Sequence, residues 1–193
     1  MRINKLALTN FRSYNSLELD LESGVTTFVG DNGSGKTNIA ESLIYLAFLS
    51  SHRVANNVPL ISLGNQQAII RAEVQRDDRT LQIDLEINAT KANRARINGN
   101  PTRSQRELLG AIQIVYFSPE DLDLVRGEPG NRRDFLDRLL ITRTPRLAGV
   151  IADYERVVKQ RNALLKTRTS AAALVPWNEQ LIKLGAELTA ERI

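Results

Sequence analysis

The 193-residue sequence predicts an α/β fold, with an N-terminal lobe of antiparallel strands around a strand, glycine-rich loop and helix, followed by the start of an α-helical subdomain. Three observations carry this. First, Ile3, Leu6 and Leu8, and then Leu17, Leu19 and Leu21, recur at strand spacing on either side of a polar stretch, as in an antiparallel pair. Second, the β-rich run Val25-Thr26-Thr27-Phe28-Val29 ends at Gly30, and residues 38–49 after the loop place Ile39, Leu43, Leu46 and Phe48 or Leu49 on one helical face. Third, the apolar period becomes helical from Pro145 onward.

The remaining elements follow in order. Residues 68–74 and 81–87 alternate around the polar turn Arg76-Asp77-Asp78-Arg79 and predict a hairpin. Residues 95–97 and 101–103 predict a smaller one about Asn98-Gly99, a strong turn signal. Residues 111–117 predict a buried strand, and Ser118-Pro119-Glu120-Asp121 a loop entering a helix N-terminus. Leu147, Ile151, Tyr154, Val158 and Leu165, with Arg161 in the skipped seam position, face a second series of Trp177, Leu181, Leu184 and Leu188. A Thr-, Ser-, Ala- and Pro-rich loop over 167–176 joins them, so two antiparallel helices are expected, either packed as a subdomain or projecting as an arm. The domain division expected is 1–142 for the strand-rich part and 143–193 for the helices. No glycine or proline stop signal accompanies Arg192-Ile193, which predicts a helix interrupted there.

Composition narrows the chemistry. Cysteine is absent, which excludes disulfides, thiolate zinc sites and cysteine nucleophiles, and the single histidine, His52, excludes multi-histidine metal sites and suits a solvated loop. No apolar run approaches the roughly eighteen residues of a membrane span, and the N-terminus lacks a secretory pattern, so a cytoplasmic protein without a membrane partner is expected. The +4 net charge is local: residues 126–170 carry 11 Lys/Arg against 5 Asp/Glu, while residues 1–125 carry 13 against 14.

Gly30-Asp31-Asn32-Gly33-Ser34-Gly35-Lys36-Thr37 matches G-x-x-x-x-G-K-[ST] in full. Glycines let the backbone turn its N–H groups toward one centre, an anion nest at a helix start. Lys36 would reach the β and γ phosphates of ATP or a related nucleotide, and the Thr37 hydroxyl would be a Mg2+ ligand. A two-stranded meander before the loop favours an ABC-type P-loop ATPase head over a small GTPase or nucleotide kinase. The base-reading N-K-x-D pattern of GTPases is missing, since Asn4-Lys5-Leu6-Ala7 lacks the aspartate and precedes the loop.

Asn10-Phe11-Arg12-Ser13-Tyr14 and the loop with its following Asn38 resemble motifs shared by the RecF family and SMC-type heads. Ser118-Pro119-Glu120-Asp121-Leu122, then Gly127-Glu128-Pro129, then Arg132-Arg133-Asp134-Phe135-Leu136-Asp137 resembles the RecF signature more specifically. Tyr154-Glu155-Arg156, Lys159-Gln160-Arg161-Asn162 and Trp177 also fall where that family has them. The resemblance covers the whole chain and about the N-terminal half of a typical member. It implies a recombination mediator of DNA repair, replication and the SOS response, acting at gapped or single-strand/double-strand junction DNA. RecO and RecR are the implied partners with RecA downstream, and ATP-dependent homodimerisation is implied at full length.

Carried over residue by residue, Gly30 to Thr37 take phosphates and metal, and Arg12 reaches toward the nucleotide or is a surface turn charge. Glu120 and Asp121 either organise water and metal or cap a helix. Arg126, Arg132, Arg133, Arg156, Lys159 and Arg161 are candidate DNA-phosphate contacts. Asp134 and Asp137 compete for the central arginines through ion pairs. The second acidic strand motif and the serine-glycine signature of ABC hydrolysis do not occur in the sequence, so no catalytic residue is assigned. Weak ATPase activity is expected only of a full-length dimer, and this segment alone is expected to be inactive. The competing readings are an SMC-like or other ABC-type head, and a nucleotide-stabilised interaction module without turnover.

Overall fold

Strict alternation of buried and exposed side chains builds the sheet. The computed structural model describes residues 1–54, 56–167 and 170–192, and the side chain of Glu120 also lies outside that description. Strands β1 (Arg2–Phe11), β2 (Tyr14–Asp20), β3 (Gln67–Arg76), β4 (Arg79–Asn88), β5 (Arg94–Ile97) and β6 (Asn100–Pro101) form one antiparallel sheet in the order β2-β1-β3-β4-β5-β6. Ala68, Ile70, Ala72 and Val74 of β3 are buried, as are Ile83, Leu85 and Ile87 of β4, while the residues between them face outward. The two-residue period decides which face is core, and a one-residue slip would expose the whole set.

Both predicted hairpins form. Arg76 pairs with Arg79 across the first, and Asp77 takes the positive φ of 53° that its tight turn requires. Ile97 pairs with Asn100 across the second, with Asn98 and Gly99 at φ 51° and 78°, the left-handed pair that matches strand twist. Helix α1 (Lys36–Phe48) contributes Ile39, Tyr45, Leu46 and Ala47 to the core that the sheet's inner face lines.

Two predicted strands are not strands. Residues 25–29 have no ladder, and Val25 and Val29 are 96% and 90% exposed. Residues 111–117 form only a bridge between Leu109 and Ile112, and Val115 and Phe117 are exposed. Composition favours extended backbone in both, but a strand needs a neighbour's row of N–H and C=O groups, and no described segment supplies it.

The chain divides into two compact units, Met1–Tyr116 and Phe117–Ile193. In the second, α3 (Pro129–Arg143) follows the one-turn α2 (Asp123–Arg126) and packs with α4 (Leu147–Lys166) and α5 (Ala171–Arg192). The last two are antiparallel: Arg146 meets Glu187 and Glu191, and Arg161 meets Asn178. Helix α5 starts five residues before Pro176, inside the segment expected to be loop. Pro176 lies inside the helix, where it removes one N–H donor and its ring crowds the carbonyl four residues back, a local cost that the rest of the 22-residue helix outweighs.

Ile70 is fully buried on β3, which pairs with β1 on one side and β4 on the other. Ile70→Ala should therefore cost about 2–5 kcal/mol, read as a lowered urea midpoint with an unchanged slope.

Candidate functional site

Gly35 closes the loop and opens α1. Its φ of 99° lies in the left-handed region, and a Cβ added there would sit 2.7 Å from Tyr14 Oη and 2.9 Å from Ser13 Oγ. Glycine alone meets both the angle and the close approach of the β1–β2 turn. No side chain caps α1, and no acid occupies its first turn. The helix start therefore presents amide N–H groups and positive dipole without a competing carboxylate, the arrangement that favours an anion. Lys36 Nζ donates to the carbonyls of Gly30 and Asp31, each at 2.7 Å, which folds its ammonium back over the loop. Asp31, Asn32, Gly33, Ser34 and Thr37 are exposed around it.

Beside this loop lies a polar network that sequence reasoning missed. Glu41, one turn into α1, is completely buried. Its carboxylate accepts from Arg12 Nε at 2.9 Å and Arg12 Nη2 at 2.6 Å, from the Ser51 hydroxyl at 2.5 Å, and from Arg53 Nη1 at 3.3 Å. Arg53 Nη1 also donates to Asn38 Oδ1 at 3.2 Å, and Asn38 Nδ2 donates to Ser13 Oγ at 2.9 Å. The available signal was an acid at position 41, three and four residues before the buried Ile44 and Tyr45, where helical spacing calls for an apolar side chain.

Arg12 is consequently no surface charge. Its side chain is 16% exposed, it chelates Glu41, and Nη1 donates to the Pro59 carbonyl at 2.8 Å. Those contacts occupy three of the five guanidinium N–H donors and leave one on each terminal nitrogen. Its backbone holds a φ of 54°, a strained setting for a non-glycine residue, kept in place by Arg12 N–H to Leu60 O at 2.8 Å and by the Ser62 hydroxyl to Arg12 O at 2.7 Å.

In the second unit the structure sorts the basic candidates. Arg126, Arg133 and Lys159 are exposed, with no described carboxylate in ion-pair range. Arg132 is exposed too and donates to the carbonyls of Leu124 and Gly127 at 3.4 and 3.3 Å. Arg156 pairs with Asp153, and Arg161 Nε donates to Asn178 at 2.7 Å across the helix pair. Asp137 pairs with Arg192 rather than with its arginine neighbours, and Asp134 makes no ion pair among the described residues. Asp121, the third residue of the turn Pro119–Leu122, accepts from the preceding Ser118 N–H at 2.6 Å, the return bond of a capping box.

Burial raises the Glu41 pKa, but hydrogen bonds from Arg12 and Ser51 and the charges of Arg12 and Arg53 outweigh it and hold the carboxylate below its ordinary value. A carboxylate lowered in the folded state stabilises the fold above its unfolded pKa and loses that contribution as pH falls through the folded one. Stability of the wild type should thus decline as pH drops below about 4.3. Glu41→Gln should cost about 3 kcal/mol at neutral pH, because it leaves buried guanidinium unpaired, and should flatten the acid limb. Urea midpoints measured across both pH ranges check this, and parallel acid limbs would count against it.

Residues 1–165 match the family described as an AAA ATPase domain. The chain is 50% identical to the DNA replication and repair protein RecF of Kineococcus radiotolerans, over all of this chain and 51% of that protein. The solved recombination mediator protein RecF-ATPrS in the RecFOR pathway superposes with a TM-score of 0.91 at 26% identity, covering 99% of this chain and 53% of that one. An SMC ATPase structure with a TM-score of 0.55 and 22% identity, covering 71% of this chain and 98% of that one, shares the fold. The chain thus spans about half the length of the RecF proteins it matches. It belongs to the AAA ATPase domain family and corresponds to the N-terminal half of RecF.

Proposed function

We propose that this chain is the nucleotide-binding half of a RecF-type recombination mediator, in which ATP controls attachment to gapped or single-strand/double-strand junction DNA. The observation that carries it is the uncapped start of α1, with Gly35 pressed against Ser13 and Tyr14 and Lys36 folded over the loop. These residues fit a nucleotide triphosphate. A Cβ at position 35 would fill the approach, and no acid occupies the first turn of α1. Backbone amides of Gly33 to Thr37 and the Lys36 ammonium would hold the phosphates, and the Thr37 hydroxyl would hold Mg2+. Bound metal would supply charge neutralisation at the phosphate oxygens.

DNA contact belongs to the second unit in this reading. Arg126, Arg132, Arg133 and Lys159 are exposed cations that meet phosphate without reading sequence, whereas Arg161 serves the helix pair and Arg156 is shared with Asp153. RecR and RecO are the proposed partners, with RecA downstream, by analogy with the RecFOR pathway in which the related structure is placed. Hydrolysis, cytoplasmic residence and an ATP-dependent homodimer are proposed for the full-length protein.

Lys36→Ala should abolish ATP binding with little loss of stability, since it removes a phosphate contact and no core packing. Thr37→Ala should weaken the magnesium-dependent part alone. Filter binding with and without magnesium tests both, and wild-type affinity in Lys36→Ala would overturn the loop assignment. Charge reversal at Arg132 and Arg133 should weaken binding of gapped DNA regardless of sequence and lower its salt slope by about 2. An unchanged slope with a lowered melting temperature would assign these arginines to the fold instead.

A further inference from the structure

Glu41 is the only charged residue among those described that is buried from solvent. Its packing gives no reason for a charge, because the helical face it shares with Ile44 and Tyr45 would accept a leucine at lower desolvation cost. Its partners supply the reason. Arg12 comes from the β1–β2 turn, and Ser51 and Arg53 come from the segment after α1, so one carboxylate on α1 gathers side chains from two other stretches of chain.

We propose that Glu41 is a positioning residue for the phosphate loop, whose carboxylate sets the aim of the Arg12 and Arg53 guanidinium groups beside the N-terminal end of α1. This rests on the nucleotide-binding reading above. The two arginines are held differently. Arg12 is fixed by Nε, Nη1 and Nη2 together, whereas Arg53, 41% exposed, is tethered through Nη1 alone, which it shares between Glu41 and Asn38. Asn38 is two residues after Lys36, and its amide also binds Ser13 of the turn that touches Gly35. The contacts close into a circuit from Glu41 through Arg12 and Ser13 to Asn38, then through Arg53 back to Glu41. Two guanidinium charges on one carboxylate leave a surplus positive charge next to a loop built for anions. Without Glu41 that charge remains, but its direction is lost.

The test is titration of the full chain with a fluorescent ATP analogue and magnesium, alongside thermal melts. Glu41→Asp keeps the charge but withdraws it by one methylene, and should weaken nucleotide binding by about tenfold while the protein still melts cooperatively. In a cycle with Arg53→Ala the losses should be non-additive by about fivefold or more, since the aspartate has already released Arg53. Ser51→Ala removes a neutral bond from the same carboxylate and should produce a smaller loss of affinity, which keeps the test decisive if Glu41→Asp does not fold. A merely structural Glu41 would lower the melting temperature and leave the affinity of the folded protein unchanged, and that result would overturn the inference. Lys36→Ala run in parallel separates the two readings. Loss of binding there with wild-type affinity in the Glu41 and Ser51 variants refutes only the positioning role, whereas retained binding in Lys36→Ala refutes the nucleotide site itself.

Discussion

The buried contact between Glu41 and Arg12 is what ties the sheet to the phosphate-loop helix. Arg12 sits just past the end of β1, and Glu41 lies within α1, so their pairing fixes the loop between two elements that have their own hydrogen bonding. Sheet and helix each satisfy their own backbone groups, and apolar burial holds them together without specifying azimuth. A chelated guanidinium does specify it, because two N–H bonds to one carboxylate allow little rotation. The left-handed backbone at Arg12 follows from the same demand. A residue in ordinary strand geometry would continue β1, and the Leu60 and Ser62 contacts hold the strained turn that redirects it.

Features with a local signal were legible in the sequence. The β3–β4 hairpin, the Asn98-Gly99 turn, and the glycine-rich loop leading into α1 all declare themselves within ten or so residues, through period, turn chemistry or a fixed motif. The seam of Trp177, Leu181, Leu184 and Leu188 is likewise partly or wholly buried as its spacing predicts. Strand pairing is not local, which is why the Val25 to Val29 run and residues 111–117 read as strands from composition and yet have no ladder among the described residues. In the last helix, Pro176 and the small residues around it suggested a loop, because proline's position relative to the helix start is invisible until that start is known.

At the site the same division holds. Gly30 to Thr37 were named from the motif, because the glycines that set the loop's left-handed backbone are adjacent in sequence. Glu41, Ser51 and Arg53 were not named, since their meaning arises from meeting Arg12, which is 29 residues before Glu41 in sequence. Arg12 was singled out for a nucleotide, and its carboxylate partner could not be read from its neighbours.

Arginine identity adds a final step, because charge counts alone do not say which cations are available. Within residues 126–170 the sequence shows only an excess of positive charge, 11 against 5. The structure divides it: Arg146 is held by Glu187 and Glu191, Arg156 by Asp153, and Arg161 by Asn178, while Arg126, Arg133 and Lys159 stay exposed without an ion pair among the described residues. An arginine already chelated by carboxylate must exchange that partner for a phosphate, so its net gain on DNA is small. An unpaired one exchanges only water and counterions, and the counterion release that drives phosphate binding is fully its own. Electrostatic affinity for a polyanion therefore rests on the cations without a carboxylate partner, while Arg146 and Arg161 join α4 to α5.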